Sequence, residues 1–289
     1  MNKLIDAIHW KIKQKYSQLR CYLGRGYYIW EIEDKIWFIS RKGNAFSHVL
    51  YVCKGHEKIE MKWCRSWIEV GGSDQSIIDC GANIGYFSAV LAQACSLNHI
   101  LAVEGNEATA QLCQENFDIL GIKNVTLVKA VLAASSNENY FIPDKPGREP
   151  WQQAIKVDHL SNRVHTTTLD ELVKQYKLKP SLIKIDCEGF ETFIIKGSTS
   201  LLGCIRPAFM IECNDKALMS SGTSRSELFK LMLNFNYKLF YLESFDSIKS
   251  RLGSKIDENF RSCEFNFAAI PNDNLNLEKW QKTLVLLRK

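Results

Sequence analysis

Apolar and polar positions along the chain change period twice. Over residues 1–22, Leu4, Ile5, Ile8, Ile12, Tyr16 and Leu19 recur at three- and four-residue intervals with lysines on the other face, which predicts an amphipathic helix. From Tyr27 the period drops to two. Tyr28–Ile32 and Lys35–Ile39 flank a Glu33-Asp34 turn and predict a β hairpin, with a second turn at Arg41–Asn44. Lys58–Val70 returns to a helical period, and Gly71-Gly72-Ser73 is the clearest break in the chain.

Beyond that break the two periods alternate. Strands are predicted at Ile77–Asp79, Ile100–Glu104, Val125–Val131, Leu182–Asp186, Ala208–Glu212, Lys238–Leu242 and Phe265–Ile270. Helices are predicted at Tyr86–Ala94, Glu107–Leu120, Asp170–Tyr176, Phe190–Leu202 and Ser226–Phe235. Asn106 is placed to cap one helix and Gly121 to end it, while Thr168 and Glu171 have the spacing of a capping box. Repeated strand–helix order predicts an α/β fold with a doubly wound, mostly parallel sheet and an antiparallel pair at one edge. Residues 1–72 are expected to form a helix-plus-hairpin extension, and residues 73–289 the main domain.

Composition narrows the class. The 289 residues are 46% hydrophobic and 11% aromatic, which excludes global disorder, and no internal repeat is found. No apolar run approaches the roughly 18 residues of a membrane span. Lys11, Lys13 and Lys15 fall where an export signal would be apolar. The ten cysteines include no Cys-x-x-Cys pair, so no metal site is expected and the thiols are read as reduced, in a cytoplasmic protein. The net charge of +5 resides wholly in Lys3, Lys11, Lys13, Lys15, Arg20 and Arg25 against Asp6. The body is therefore electrically balanced, and nucleic acid is not an expected partner. The basic helix has two readings at this point: it contacts an anionic membrane or a partner through residues 1–22, or it packs on the edge of the body.

One loop carries the candidate chemistry. Asp79-Cys80-Gly81-Ala82-Asn83-Ile84-Gly85-Tyr86-Phe87-Ser88 ends the first strand of the alternation and opens a helix, where such sheets bind ligands. The next strand ends in Glu104, whose carboxylate can accept hydrogen bonds from both hydroxyls of a ribose. An adenosyl ligand is expected. The loop lacks Gly-x-Gly-x-x-Gly, which disfavours a dinucleotide, and the chain has no Gly-Lys-Ser/Thr for a nucleoside triphosphate.

The Asp79–Ser88 loop followed by Val103-Glu104-Gly105-Asn106 resembles the first two motifs of class I S-adenosylmethionine-dependent methyltransferases. With Thr168-Leu169-Asp170, Ile183–Glu191, Arg206–Glu212 and the ending Phe267–Pro271, the order and spacing resemble the FkbM family over roughly residues 75–245. That resemblance implies a Rossmann-like methyltransferase sheet, S-adenosyl-L-methionine as cofactor, and O-methylation of a sugar, glycolipid or related hydroxylated acceptor. It implies that Asp79, Gly81, Asn83 and Gly85 contact the methionine end of the cofactor, that Glu104 holds the ribose, and that Ala130 lies beside the adenine. Tyr86 and Phe87 either wall that pocket or pack in the core.

Asp186, Glu188 and Glu191 are the catalytic candidates. Three acids in six residues perturb one another if they converge. Asp186 is assigned to the methyl region or to the base, and Glu188 and Glu191 to orienting the acceptor or a cation. Glu191 has the alternative of charging a helix N-terminus. Glu212 and Asn214 are expected to form the opposite, acceptor-side wall, and the loop Pro143–Trp151 to offer Trp151 to a sugar ring. His159 and His165 read as surface residues. A divalent metal is possible in the chemistry but not indicated by the residues. Competing readings are a cofactor-binding module without turnover, a nucleic-acid methyltransferase, and an NAD-dependent oxidoreductase.

Overall fold

The computed structural model describes residues 2–33, 35–71, 75–142, 154–156, 164–244, 252–257, 260, 262 and 264–287. The first third comprises α1 (Asn2–Leu23), β1 (Tyr27–Glu33), β2 (Ile36–Arg41), α2 (Ala45–Cys53), α3 (Lys58–Gly71) and β3 (Ser76–Cys80). Then follow α4 (Tyr86–Ala94), β4 (Ile100–Glu104), α5 (Glu107–Leu120), β5 (Val125–Lys129) and the short strands β6 (Val131–Leu132), β7 (Tyr140–Phe141), β8 (Ile155–Lys156) and β9 (Thr166–Thr167). The last part holds α6 (Leu169–Gln175), β10 (Pro180–Ile185), α7 (Glu191–Lys196), β11 (Ala208–Asn214), α8 (Asp215–Ser220), α9 (Arg225–Asn234), β12 (Tyr237–Ser244), β13 (Glu264–Pro271) and α10 (Asn274–Leu287).

Seven strands form the main sheet in the order β12-β13-β11-β10-β3-β4-β5. The five strands β5, β4, β3, β10 and β11 run parallel, and β13 pairs antiparallel with both β11 and β12. The sequence explains the layering. Ser76-Ile77-Ile78-Asp79-Cys80 is buried at every position, as a parallel strand covered by helices on both faces must be. Strand order reverses between β3 and β10, which opens a crevice at their carboxyl ends. The α/β class, the mostly parallel sheet and its antiparallel edge agree with the pattern of the sequence.

The caps behave as their spacing predicts. Asn106 accepts from the Thr109 amide at 2.9 Å, Gly121 ends α5 with a left-handed backbone, and Thr168 and Glu171 complete a reciprocal capping box. Several boundaries differ. The strand expected over 125–131 stops at Lys129, and Val131–Leu132 pairs with Thr166–Thr167 instead. The helix expected over 190–202 divides after Lys196, because the Asp170 carboxylate accepts the amides of Ser200 and Leu201 and starts a separate π turn at Leu201–Ile205. The helix α2 lies in a stretch for which no element was expected. Its Ala-Phe-Ser-His-Val-Leu-Tyr-Val-Cys run lacks a charged face, and what starts it is the Asn44 cap on the Ser47 amide at 2.8 Å. The terminal helix α10 was not anticipated.

Apolar clusters cover both faces of the sheet, and one of them extends well beyond residue 72. Trp30 and Phe38 of the hairpin, Trp63 and Trp67 of α3, Phe87 of α4, Met210 of β11 and Trp280 of α10 belong to a single buried cluster. Trp63 meets Trp67 and Trp280 at centroid distances of 5.6 and 5.9 Å. Gln93 of α4 brackets the Trp37 backbone, accepting from its amide and donating to its carbonyl. This cluster draws residues from both sides of the expected division at residue 72; residues 72–74 lie outside the described residues. Among the described residues, no helix is long and apolar enough to cross a membrane.

Candidate active site

A cavity of about 640 Å³ opens at the reversal point of the sheet, lined from both its halves and from the N-terminal segment. That volume suits a nucleoside-sized ligand with a second reactant.

The loop after β3 builds one end from backbone. Gly81 has φ +80°, and a Cβ there would sit 1.9 Å from the Asp186 carbonyl oxygen, so the tight join of β3 to the end of β10 requires glycine. The amides of Gly81 and Ala82 both donate to the Val103 carbonyl, at 3.0 and 2.9 Å. Asn83, also at positive φ, presents its amide to Glu104 Oε2 at 2.8 Å, and Asn106 presents its amide to Glu104 Oε1 at 2.8 Å. Glu104 lines the cavity, and a carboxylate held by amides retains acceptor capacity for further donors. Burial raises the Glu104 carboxyl above its usual range, with the Asn106 and Asn83 amides working in the opposite direction. Ala130, almost fully buried, lines the same end.

Two expected members of this end lie elsewhere. Asp79 is fully buried and does not line the cavity. It accepts from Ser88 Oγ at 2.6 Å and lies 3.7 Å from Lys184 Nζ, because a buried ammonium needs carboxylates around it. Gly85 also lies off the cavity. A Cβ there would meet Phe117 and Cys113 of α5 at 2.7 and 2.8 Å, so this glycine serves the packing of α4 on α5. Tyr86 and Phe87 fill both of their expected roles, buried in the core and touching the cavity.

The other end is built from side chains. Lys184 lies on β10 and Asp186 directly follows its last residue, two positions on, and the two side chains are joined at 2.9 Å. Burial works against the Lys184 charge, but Asp186, Asp79 and Glu57 outweigh it and hold the ammonium well above its ordinary value. Burial likewise pushes the Asp186 carboxyl up, and the Lys184 charge and hydrogen bond more than reverse this, leaving it below its usual value. Glu188 follows at φ +52°, a backbone conformation that non-glycine residues adopt at a cost of roughly 1–3 kcal/mol. Burial and the Asp186 charge push Glu188 up to about 8. Burial, and then the Asp186 charge, push the Glu212 carboxyl well above its usual range. Asn214 lines the same wall while capping α8 through the Lys216 and Ala217 amides.

Glu191 does not reach the cavity. Its Oε1 accepts from the amides of Cys187 and Gly189 at 3.0 and 3.2 Å, which fixes the turn that carries Glu188. Glu191 also stands in the first turn of α7, and burial pushes its carboxyl up to about 7 against the amides that lower it. Trp151, the loop Pro143–Trp151 and His159 lie outside the described residues.

Some contributors were not read from the sequence. Phe46 of α2 and the turn residues His56 and Glu57 all line the cavity. Tyr86 fixes that turn, its hydroxyl accepting from the His56 amide at 3.1 Å. Asn266 of β13 donates to Glu57 and Glu60, both at 2.9 Å. Burial, then the Asp186 charge, raise Glu57. The available signal was the pair Glu57 and Glu60 beside an aromatic-rich helix, which has no fixed spacing to any motif. Among the described residues, no group of three His, Cys, Asp or Glu side chains is arranged to hold a metal ion.

Comparison with known proteins supplies an independent line. The hexuronic acid methyltransferase AglP of Haloferax volcanii is 28% identical over 140 residues, covering 48% of this chain and 56% of that protein, so the match spans little more than half of the relative's length. Among solved structures, the methyltransferase FkbM of Methylobacillus flagellatus KT has a TM-score of 0.44 at 13% identity, covering 68% of this chain and 43% of that one. The precorrin-6y C5,15-methyltransferase of Geobacter metallireducens GS-15 has a TM-score of 0.44 at 13% identity, covering 75% and 89%. The model of the methyltransferase FkbM domain matches residues 79–239, a segment that begins at the buried Asp79 and takes in the loop, Glu104, Asp186 and Glu212. With more than half of its 289 residues inside that match, the chain belongs to the FkbM methyltransferase family.

Proposed function

We propose that the protein is an S-adenosylmethionine-dependent O-methyltransferase that acts on a hydroxyl of a sugar or glycan. The observation that carries this reading is one cavity with Glu104 at one end and the Asp186–Glu188 turn at the other. The residues fit the cofactor: Glu104, on the cavity wall, retains acceptor capacity for a vicinal diol, and the small Ala130 beside it leaves room for a flat ring. When bound, S-adenosylmethionine supplies an electrophilic methyl group for in-line displacement by an oxygen.

The chain's own residues then have two tasks. The first is positioning, which can supply ~7–11 kcal/mol of such a barrier. The Glu212 carboxyl, which burial and Asp186 push well above its usual range, is suited to donate a hydrogen bond to a sugar hydroxyl, Asp186 keeps a carboxylate to accept one, and Glu57 lines the same cavity. The second is removal of the hydroxyl proton. Glu188 is the better base, since its value of about 8 lies near neutrality whereas Lys184 keeps Asp186 weakly basic. A base so matched contributes about 10²–10⁴-fold. The hexuronic acid methyltransferase among its relatives supports a carbohydrate acceptor.

The test is to supply S-adenosylmethionine carrying a ¹³C methyl group with a panel of glycans and to read the product by NMR. A methoxy signal that requires the protein supports the reading. Methylation of nitrogen or carbon instead, or of nucleic acid alone, overturns it.

A further inference from the structure

The helix α1 is mounted the wrong way round for a helix that serves the core. At 3.6 residues per turn, Ile12, Leu19 and Leu23 fall about one, three and four turns from Ile8 and share its side. Ser17 falls about two and a half turns from Ile8, on the opposite side. The structure buries Ser17 and Cys21: Ser17 Oγ meets His48 Nδ1 of α2 at 2.9 Å, and the Cys21 thiol donates to the Ser40 carbonyl at 3.1 Å. The apolar stripe faces away from the protein, with Ile8 50%, Ile12 58%, Leu19 53% and Leu23 73% exposed. Tyr16 and Tyr22, each with an apolar ring and a polar tip, stand exposed at its borders. Lys11 and Lys15 run along one border of the stripe, and Lys13 and Arg20 lie beyond the other.

We infer that this face of α1 docks on an anionic lipid bilayer, lying in the plane of its surface. The stripe supplies apolar area for the acyl boundary, and the flanking cations reach the headgroups with their stems along the apolar surface. Charge selects this occupant over a second copy of the chain. The segment that holds the whole net charge of +5 is this helix and the residues just after it, so two copies packed stripe to stripe would bring their lysines together with one aspartate each to offset them. An anionic surface instead attracts each lysine and arginine that approaches it. The helix α2 links this surface to the cavity: His48 and Tyr51 touch α1, while Phe46 and Val49 line the cavity. This inference is independent of the acceptor and of the methyl-transfer chemistry.

The experiment is flotation of the full chain with vesicles of phosphatidylglycerol and phosphatidylcholine, and with phosphatidylcholine alone. Sedimentation velocity over a range of protein concentrations accompanies it. The variants are Ile12→Glu with Leu19→Glu, and the control Leu233→Glu, an exposed apolar residue on α9. Both sets lie on the surface, so circular dichroism is expected to match wild type. Expected results are binding to the anionic vesicles about tenfold or more tighter than to the neutral ones, weakening with salt, lost about tenfold or more in the double variant and kept in the control. Equal binding to both vesicles, no binding to either, or a dimer that the double variant dissolves would each overturn the inference.

Discussion

The two ends of the cavity are made of different material. The end at Glu104 is a backbone construction. Two amides hold its carboxylate, a left-handed Asn83 aims one of them, and Gly81 brings the loop within contact of β10. Everything in it lies within residues 79–106 and 130. The end at Asp186 is a side-chain construction drawn from four remote places: the 56–57 turn, β10, β11 and β13. A backbone-built end tolerates little change of shape, which suits the single cofactor proposed for it. A side-chain-built end can be altered residue by residue, which suits an acceptor that differs between enzymes.

The sharpest break of this comparison is Asp186→Asn. It is expected to lower turnover by about 10³-fold or more, with cofactor affinity changed less than about tenfold, because it touches the side-chain end alone. Steady-state kinetics together with equilibrium binding would measure both, and equal losses in the two would merge the ends into one unit. The next effect falls on stability. Lys184→Met leaves Asp79 and Asp186 without their shared cation and should cost about 3–5 kcal/mol in urea denaturation. Adding Asp79→Asn should recover part of that loss, since one uncompensated charge is then removed.

The pH dependence sharpens the assignment of the base. With Glu188 raised to about 8, the activity is expected to climb as pH rises toward that value and then level off. The climbing limb should vanish in Glu188→Gln. The linked effect on stability has the opposite sense. The folded state holds a proton on Glu188 that the unfolded chain releases near its ordinary value, so this residue's contribution falls as pH rises from about 4.5 through about 8. The smallest effect is a control. Thr168→Ala removes the capping box of α6, away from the cavity, and should cost about 1 kcal/mol with turnover unchanged.

Legibility in the sequence follows the same division. A strand, a tight turn and a helix start impose a fixed spacing on Gly81 and Glu104, both of which line the cavity, and the family resemblance added Asn83, which lines it too. The resemblance also placed Asp79 and Gly85 at the cofactor, and the structure holds them in a buried ion pair and in helix packing. Spacing marks a residue as constrained without saying which neighbour constrains it. Glu188 and Glu191 illustrate the limit within a single turn: both are acids on one loop, yet Glu188 lines the cavity while Glu191 folds back on the amides of Cys187 and Gly189. Glu57 and Phe46 were beyond reach, because their place at the cavity depends on how α2 and the following turn dock against Tyr86. For α1, the periodicity gave the helix and its apolar stripe, but the orientation of that stripe depends on the small side chains of Ser17 and Cys21 that fit against the body.

The central claim is that the Glu104 end holds the cofactor through its ribose. Its most direct test is a calorimetric titration of S-adenosylmethionine into wild type and Glu104→Ala, each first shown to be folded by circular dichroism and cooperative unfolding. The prediction is one saturable site in wild type, weakened about tenfold or more in the variant, as expected when a hydrogen-bonded carboxylate facing two hydroxyls is removed. Equal affinity in the two proteins, or no heat of binding from folded wild type, would contradict it.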